Sequence, residues 1–183
     1  MAVSESLSMT RRCFFTAAGL AVAAPAAVAA GGSSTETNDA PEAVVLSEGE
    51  AKVYLLVFHT GQEVMKGLHA FAKQHGLVAG QLTGIGAISH AVLGYFNPQK
   101  KAYERIRIPE QTEVLALTGN LALYDNEPFF HAHRALGLEN GSARGGHLFE
   151  AYVRPTVELI LTAFAHPVRR KIDAGTGLPL LAP

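Results

Sequence analysis

The sequence predicts an α+β fold: a single domain with a twisted, mostly antiparallel sheet of about seven strands packed with one main helix. Three observations predict it. Only one segment, 61–76, carries a convincing 3.6-residue apolar period. The other apolar segments are short β-rich runs, and the turns between them are too short for βαβ crossovers. Finally, 183 residues is about the length of one domain and enough to bury a real core.

The first element lies outside the expected fold. "SMTRRCFFTAAGLAVAAPAAVAAGG" holds Arg11-Arg12, an aromatic two residues later, an Ala-rich apolar run and an Ala27-Val28-Ala29 cleavage site. This order of charged region, apolar region and small-residue site is that of an export signal, here of twin-arginine (Tat) type. Residues 1–29 are therefore expected to be a signal peptide that meets the membrane only in transit, leaving the protein periplasmic or secreted. The run is short and interrupted by Pro25, which argues against a retained anchor. Cys13 precedes the apolar run, whereas a lipoprotein cysteine follows it. Cleavage removes Arg11, Arg12 and Glu5, so the net charge moves from −1 to −2 with His neutral. It also removes Cys13, the one cysteine, and with it any disulfide or thiolate ligand.

Residues 30–50, rich in Gly, Ser, Thr and acidic side chains, read as a flexible leader in which only Val44-Val45-Leu46 can pack. The domain is expected over 51–166. It opens on a strand, Lys52–Phe58, followed by the helix with Val64, Met65, Leu68, Phe71 and Ala72 on one face and Gly76 as C-terminal cap. Strands are expected at Ala87–Phe96, Tyr103–Ile108, Glu113–Tyr124, Phe129–Leu136, His147–Val153 and Thr156–Phe164. Turn residues such as Asn97-Pro98, Pro109-Glu110 and Asn140-Gly141 separate them. "LTGIGAIS" (82–89) lacks the spacing of a phosphate-binding loop and reads as a tight turn feeding the following strand. The tail, 167–183, shows little pattern, and its Arg169-Arg170-Lys171 cluster reads as solvated.

The stretch "PFFHAHRALGLENGSARGGHLFE" (128–150) concentrates the chemistry, because three of the eight histidines surround one turn. On a strand His131 and His133 share a face. Register decides whether His147 joins them. A two-residue turn at Asn140-Gly141 pairs Arg134 with His147 and sends the third ring to the wrong side. A three-residue loop Glu139-Asn140-Gly141, with Gly141 left-handed, pairs Leu138 with Ser142 and His133 with His147. A bulge at Gly145-Gly146 would restore the parity as well. Three imidazoles without thiolate suit zinc, ahead of nickel, copper or iron, and leave one coordination position open. The competing reading is a set of hydrogen-bonded histidines on a polar face. His59, His69, His75, His90 and His166 lack ligand-like spacing and read as structural or solvated. Glu150, three residues from His147, faces the other way on a regular strand. There is no G-x-S-x-G elbow for serine catalysis.

From about Val53 to Phe164 the chain resembles the plants-and-prokaryotes-conserved (PPC) domain. The resemblance rests on "YLLVFHTGQEVMKGLHAFAKQHG", "GQLTGIGAISHAVLGYFNP", "LALTGNLAL", and HxH followed by GGHL. It implies an α+β domain that assembles as a homotrimer, with bacterial and archaeal relatives holding zinc through histidines at these positions. Carried over, the ligands would be His131, His133 and His147.

The family is often labelled DNA-binding because plant members carry AT-hooks with an Arg-Gly-Arg-Pro core. This chain has no such core, its balance is mildly acidic, and it has no basic stripe, so nucleic acid is a poor partner. The leading expectation is an exported homotrimer with a three-histidine metal site, zinc or another divalent transition metal, in a binding or structural role. A small-molecule ligand at the metal would be its partner besides itself. A DNA-binding or regulatory role and a zinc-dependent hydrolase or lyase are the alternatives; no catalytic residue is assigned.

Overall fold

The computed structural model describes residues 42–49 and 51–182, so the expected signal peptide and most of the expected leader lie outside the described residues. The order is β1 (Glu42–Glu48), β2 (Ala51–His59), α1 (Val64–Gln74), β3 (Gly80–Asn97), β4 (Ala102–Ile108), β5 (Thr112–Tyr124), β6 (Glu127–Gly137), β7 (Ala143–Phe164), β8 (Arg169–Ile172) and β9 (Pro179–Ala182). Among the described residues these make one mostly antiparallel nine-stranded sheet and one helix, which is the α+β class expected. Among the described residues no helix is long and apolar enough to cross a membrane.

Nine strands replace seven for three reasons. The β-forming patch Val44-Val45-Leu46 lies in β1, which pairs along the edge of β2. The tail residues form the β8–β9 hairpin. The two strands expected on either side of Pro155 are one, β7. Proline reads as a break because it has no ladder donor. Here it sits where the β3–β7 register skips from Gly86↔Val157 to Ile88↔Val153, a bulge that asks no ladder bond of it.

The sheet closes on itself. β3 pairs with β5 and β7, and β6 pairs with the same two strands, so β3, β5, β6 and β7 form a circuit. The "GIGA" stretch belongs to this circuit as part of β3, which corrects the turn expected there. Its glycines serve close approach: a Cβ on Gly84 would lie 2.2 Å from the Glu158 carbonyl oxygen, and Gly86 adds a φ of +146°.

Helix α1 packs on β6 and β7. Val64, Gly67, Leu68, Phe71 and Ala72 are buried, with Met65 at the margin. Its C-terminus is a Schellman cap: Gly76 is left-handed (φ +60°), its N–H reaches Lys73 O at 3.2 Å, and Leu77 N–H reaches Ala72 O at 2.9 Å. At the other end Glu63, only 4% exposed, is the N-cap. Its carboxylate accepts from Met65 N (3.1 Å), Lys66 N (2.7 Å) and, across the sheet, Ala151 N (2.8 Å). One buried carboxylate thus ties the helix start to β7. The sequence does not reveal it, because glutamate is an uncommon cap and its third donor is 88 residues away. The core continues through Phe58, Leu93, Leu117, Phe130, Leu148 and Leu159. Arg134 is drawn into that side and is 4% exposed, with all three guanidinium nitrogens lacking a hydrogen-bond partner among the described residues. Burial pushes its pKa down to about 10, opposed by the charge of Glu63.

Candidate metal centre

Strand β6 alternates as expected: Phe130, Ala132 and Arg134 are buried toward the core, while His131 and His133 lie on the opposite face. The loop after β6 sets the third histidine. Leu138 N–H donates to Ser142 O at 2.9 Å, Gly141 N–H donates to Leu138 O at 2.9 Å, and Gly141 is left-handed with φ +79°. Asn140 braces the loop by accepting from Ser142 N at 2.9 Å. This is the three-residue loop, and it pairs His133 with His147 in a regular register from Gly137↔Ala143 onward. No bulge at Gly145-Gly146 is needed. Those glycines instead permit contact, since a Cβ on Gly146 would lie 2.7 Å from Gly94 O.

The three rings converge. Centroids of His131 and His133 lie 5.1 Å apart, those of His131 and His147 5.1 Å, and those of His133 and His147 5.4 Å. One nitrogen from each falls within 4.8 Å of the others, and this is the three-donor group found among the described residues. The Nε2 atoms of His131 and His133 approach to 3.1 Å. Nitrogens that share a tetrahedral ion at ~2.0–2.1 Å lie about 3.4 Å apart, so that approach fits a common ion. It equally fits a hydrogen bond in which one protonated Nε2 donates to the other. His147 adds a further sign, because its Nδ1 is buried without a hydrogen-bond partner among the described residues.

The electrostatics favour neutral, ligand-ready rings. Burial, reinforced by His131 and His133, pushes the His147 pKa down to about 4. Burial also lowers that of His131, with Arg170 and His133 acting in the same direction. A coordinating imidazole must be unprotonated, and His147 meets that condition at neutral pH.

Around the cluster lies a cleft of about 280 Å³. Tyr103 and Phe149 flank His147, with ring centroids at 4.6 and 4.9 Å. Phe129 and the β8–β9 hairpin, through Leu178–Leu180, form the rest of the apolar wall. Arg170 also comes from that hairpin. It is 5% exposed, which corrects the expectation of a solvated tail charge. Its Nη1 donates to Pro179 O at 2.8 Å, its Nη2 donates to Asn120 Oδ1, and its guanidinium carbon lies 5.2 Å from the Phe129 ring centre. Asn120 is the cross-strand neighbour of His131, so the hairpin is tied to the strand pair that carries His131. The apolar run Leu178-Pro179-Leu180-Leu181 was the available sequence signal for this hairpin.

Several other histidines have local partners. His69 Nδ1 lies 3.1 Å from Pro128 O, and burial lowers its pKa. His75 packs on Phe71 with centroids 4.2 Å apart. His90 stacks on Tyr152 at 4.4 Å and meets Ser89 Oγ at 2.9 Å. Glu150 is turned to Arg105, at 3.5 Å.

Comparison with known proteins places this geometry in context. Residues 45–165 match the profile of the Plants and Prokaryotes Conserved (PCC) domain. A metal-containing protein from Archaeoglobus fulgidus is 32% identical and superimposes with a TM-score of 0.67 over 78% of this chain and 98% of that one. A candidate DNA-binding protein from Bacteroides thetaiotaomicron is 29% identical, with a TM-score of 0.70 over 76% of this chain and 96% of the other. Among curated sequences, the bifunctional protein GlmU of a Synechococcus species is 31% identical over 135 residues, which are 72% of this chain. The match spans 20% of that relative's length.

Proposed function

The chain belongs to the Plants and Prokaryotes Conserved domain family, and on that premise we propose that it is an exported homotrimeric metal-binding module in which His131, His133 and His147 hold one zinc ion. The observation that carries the reading is the convergence of three donor nitrogens within 4.8 Å on adjacent strands whose register is set by the Gly141 turn. A similar fold in a metal-containing archaeal protein supports it. Zinc is preferred because the donor set is all imidazole, and the shared ion would use neutral rings of the kind that burial produces here.

Three protein ligands would leave one coordination position open, and the cleft beside His131 and His147 has room for a small ligand there. Trimer formation, implied by the family, would bury apolar surface of a mature domain that has no disulfide, and export follows from the twin-arginine pattern. The DNA-binding reading draws on the Bacteroides relative, but a net charge of −1, falling to −2 on cleavage, opposes the phosphate contacts such binding needs. A hydrolase or lyase reading is less favoured, because among the described residues no carboxylate lines the cleft and Glu150 is engaged by Arg105.

The test is elemental analysis of the purified protein together with light scattering. The proposal expects one equivalent of zinc per chain, removable by a chelator, and a trimeric mass. A metal-free preparation that fails to take up zinc, or a monomeric mass at micromolar concentration, contradicts the corresponding part.

A further inference from the structure

We propose that the cleft beside the three histidines binds a small carboxylate with a compact apolar or aromatic body, its negative charge received by Arg170 of the β8–β9 hairpin. The inference deepens the metal-site reading and rests on it for the second anchor, the open coordination position.

The first support is the state of Arg170. A guanidinium carries five N–H donors, and this one is nine-tenths buried yet meets only two neutral oxygens, Asn120 Oδ1 and Pro179 O. Its Nε–H is buried without a partner among the described residues. Among the described residues no carboxylate lines the cleft that it faces. A buried cation without an anion is costly, and an incoming carboxylate is the partner that relieves it.

The walls define the rest of the ligand. Tyr103, Phe129 and Phe149 present aromatic surface, and the hairpin adds Leu178 and Leu180. The volume of about 280 Å³ lies just below the ~300–1,000 Å³ typical of ligand pockets, so the body is small. Phe129 and Asn120 fix the guanidinium from two sides, so little order has to be gained on binding. The hairpin also lies beyond residues 45–165, which match the family profile.

The test is calorimetric titration of the zinc-loaded full chain with benzoate and with benzyl alcohol, which keeps the ring and lacks the charge. Metal content is measured on the same samples. Benzoate should bind at least about tenfold more tightly than benzyl alcohol, and Arg170→Met should remove that preference. Equal binding of the two ligands, no benzoate binding, or an undiminished preference in Arg170→Met overturns the proposal. If the variant does not fold, the same comparison on chelator-treated wild-type protein decides the matter: a benzoate preference that vanishes with the zinc overturns the role of Arg170. The two readings separate cleanly: Arg170-dependent benzoate binding in protein that holds no zinc supports the anion cleft and removes the metal, whereas zinc without a charge preference removes the cleft and leaves the metal.

Discussion

His133 on β6 and His147 on β7 are direct cross-strand partners, and this one register brings three imidazoles onto a single face. A shift of one residue would place Arg134 opposite His147 and turn the third ring away. The turn at Glu139–Gly141 is therefore part of the candidate site although it contributes no ligand.

Gly141 is the exposed hinge of that register. A Cβ there meets nothing within 4 Å, so the cost of substitution is conformational alone. Gly141→Val should destabilise the fold by about 1–2 kcal/mol and lower zinc occupancy without touching a ligand, while Gly141→Asn should be milder. Urea unfolding and metal analysis of both variants check this; identical behaviour of Val and Asn would contradict it.

Glu63 should matter for stability out of proportion to its distance from the histidines. Glu63→Ala leaves three backbone N–H groups without their acceptor, two at the start of α1 and one on β7, and should cost about 2–3 kcal/mol. Chemical denaturation measures it. A loss below half a kcal/mol would mean that water replaces the carboxylate at no cost.

The metal-free protein should be acid-sensitive in a defined window. His147 has its folded pKa pushed down to about 4 from an ordinary 6.5, so between these values the unfolded chain binds the extra proton. Stability from this group is present above pH 6.5 and is lost as the pH falls toward about 4. His131 shifts in the same direction. The melting temperature of chelator-treated protein should fall through that range, and His147→Leu should flatten the fall; an unchanged slope in the variant would contradict the assignment.

Export should depend on Arg11 and Arg12. Replacing both with Lys should block periplasmic accumulation if the twin-arginine pattern is read by the folded-protein export pathway. Normal accumulation of the double variant would exclude that route.

Helix α1 and its Gly76 cap were legible because they depend on residues close in sequence. The pairing of His133 with His147 was one of the registers that the sequence allowed, and the three-residue loop with Gly141 left-handed selects it. Long-range contacts hid the rest. The "GIGA" glycines resemble a turn locally, and only the approach of β7 makes them strand residues. Pro155 reads as a break until the bulge in the β3–β7 register absorbs it. The β8–β9 hairpin has short strands whose stability comes from Arg170 and the aromatic cleft, and neither can be inferred from the tail alone.

If His131, His133 and His147 share one ion, each of them is needed to hold it. Zinc content after substitution of each of the three by Ala, set against His69→Ala and His166→Ala, tests it most directly. Occupancy should fall sharply in each of the first three and stay at the wild-type level in the last two. Wild-type zinc content in His147→Ala would contradict it and leave His131 and His133 as a hydrogen-bonded pair on a strand.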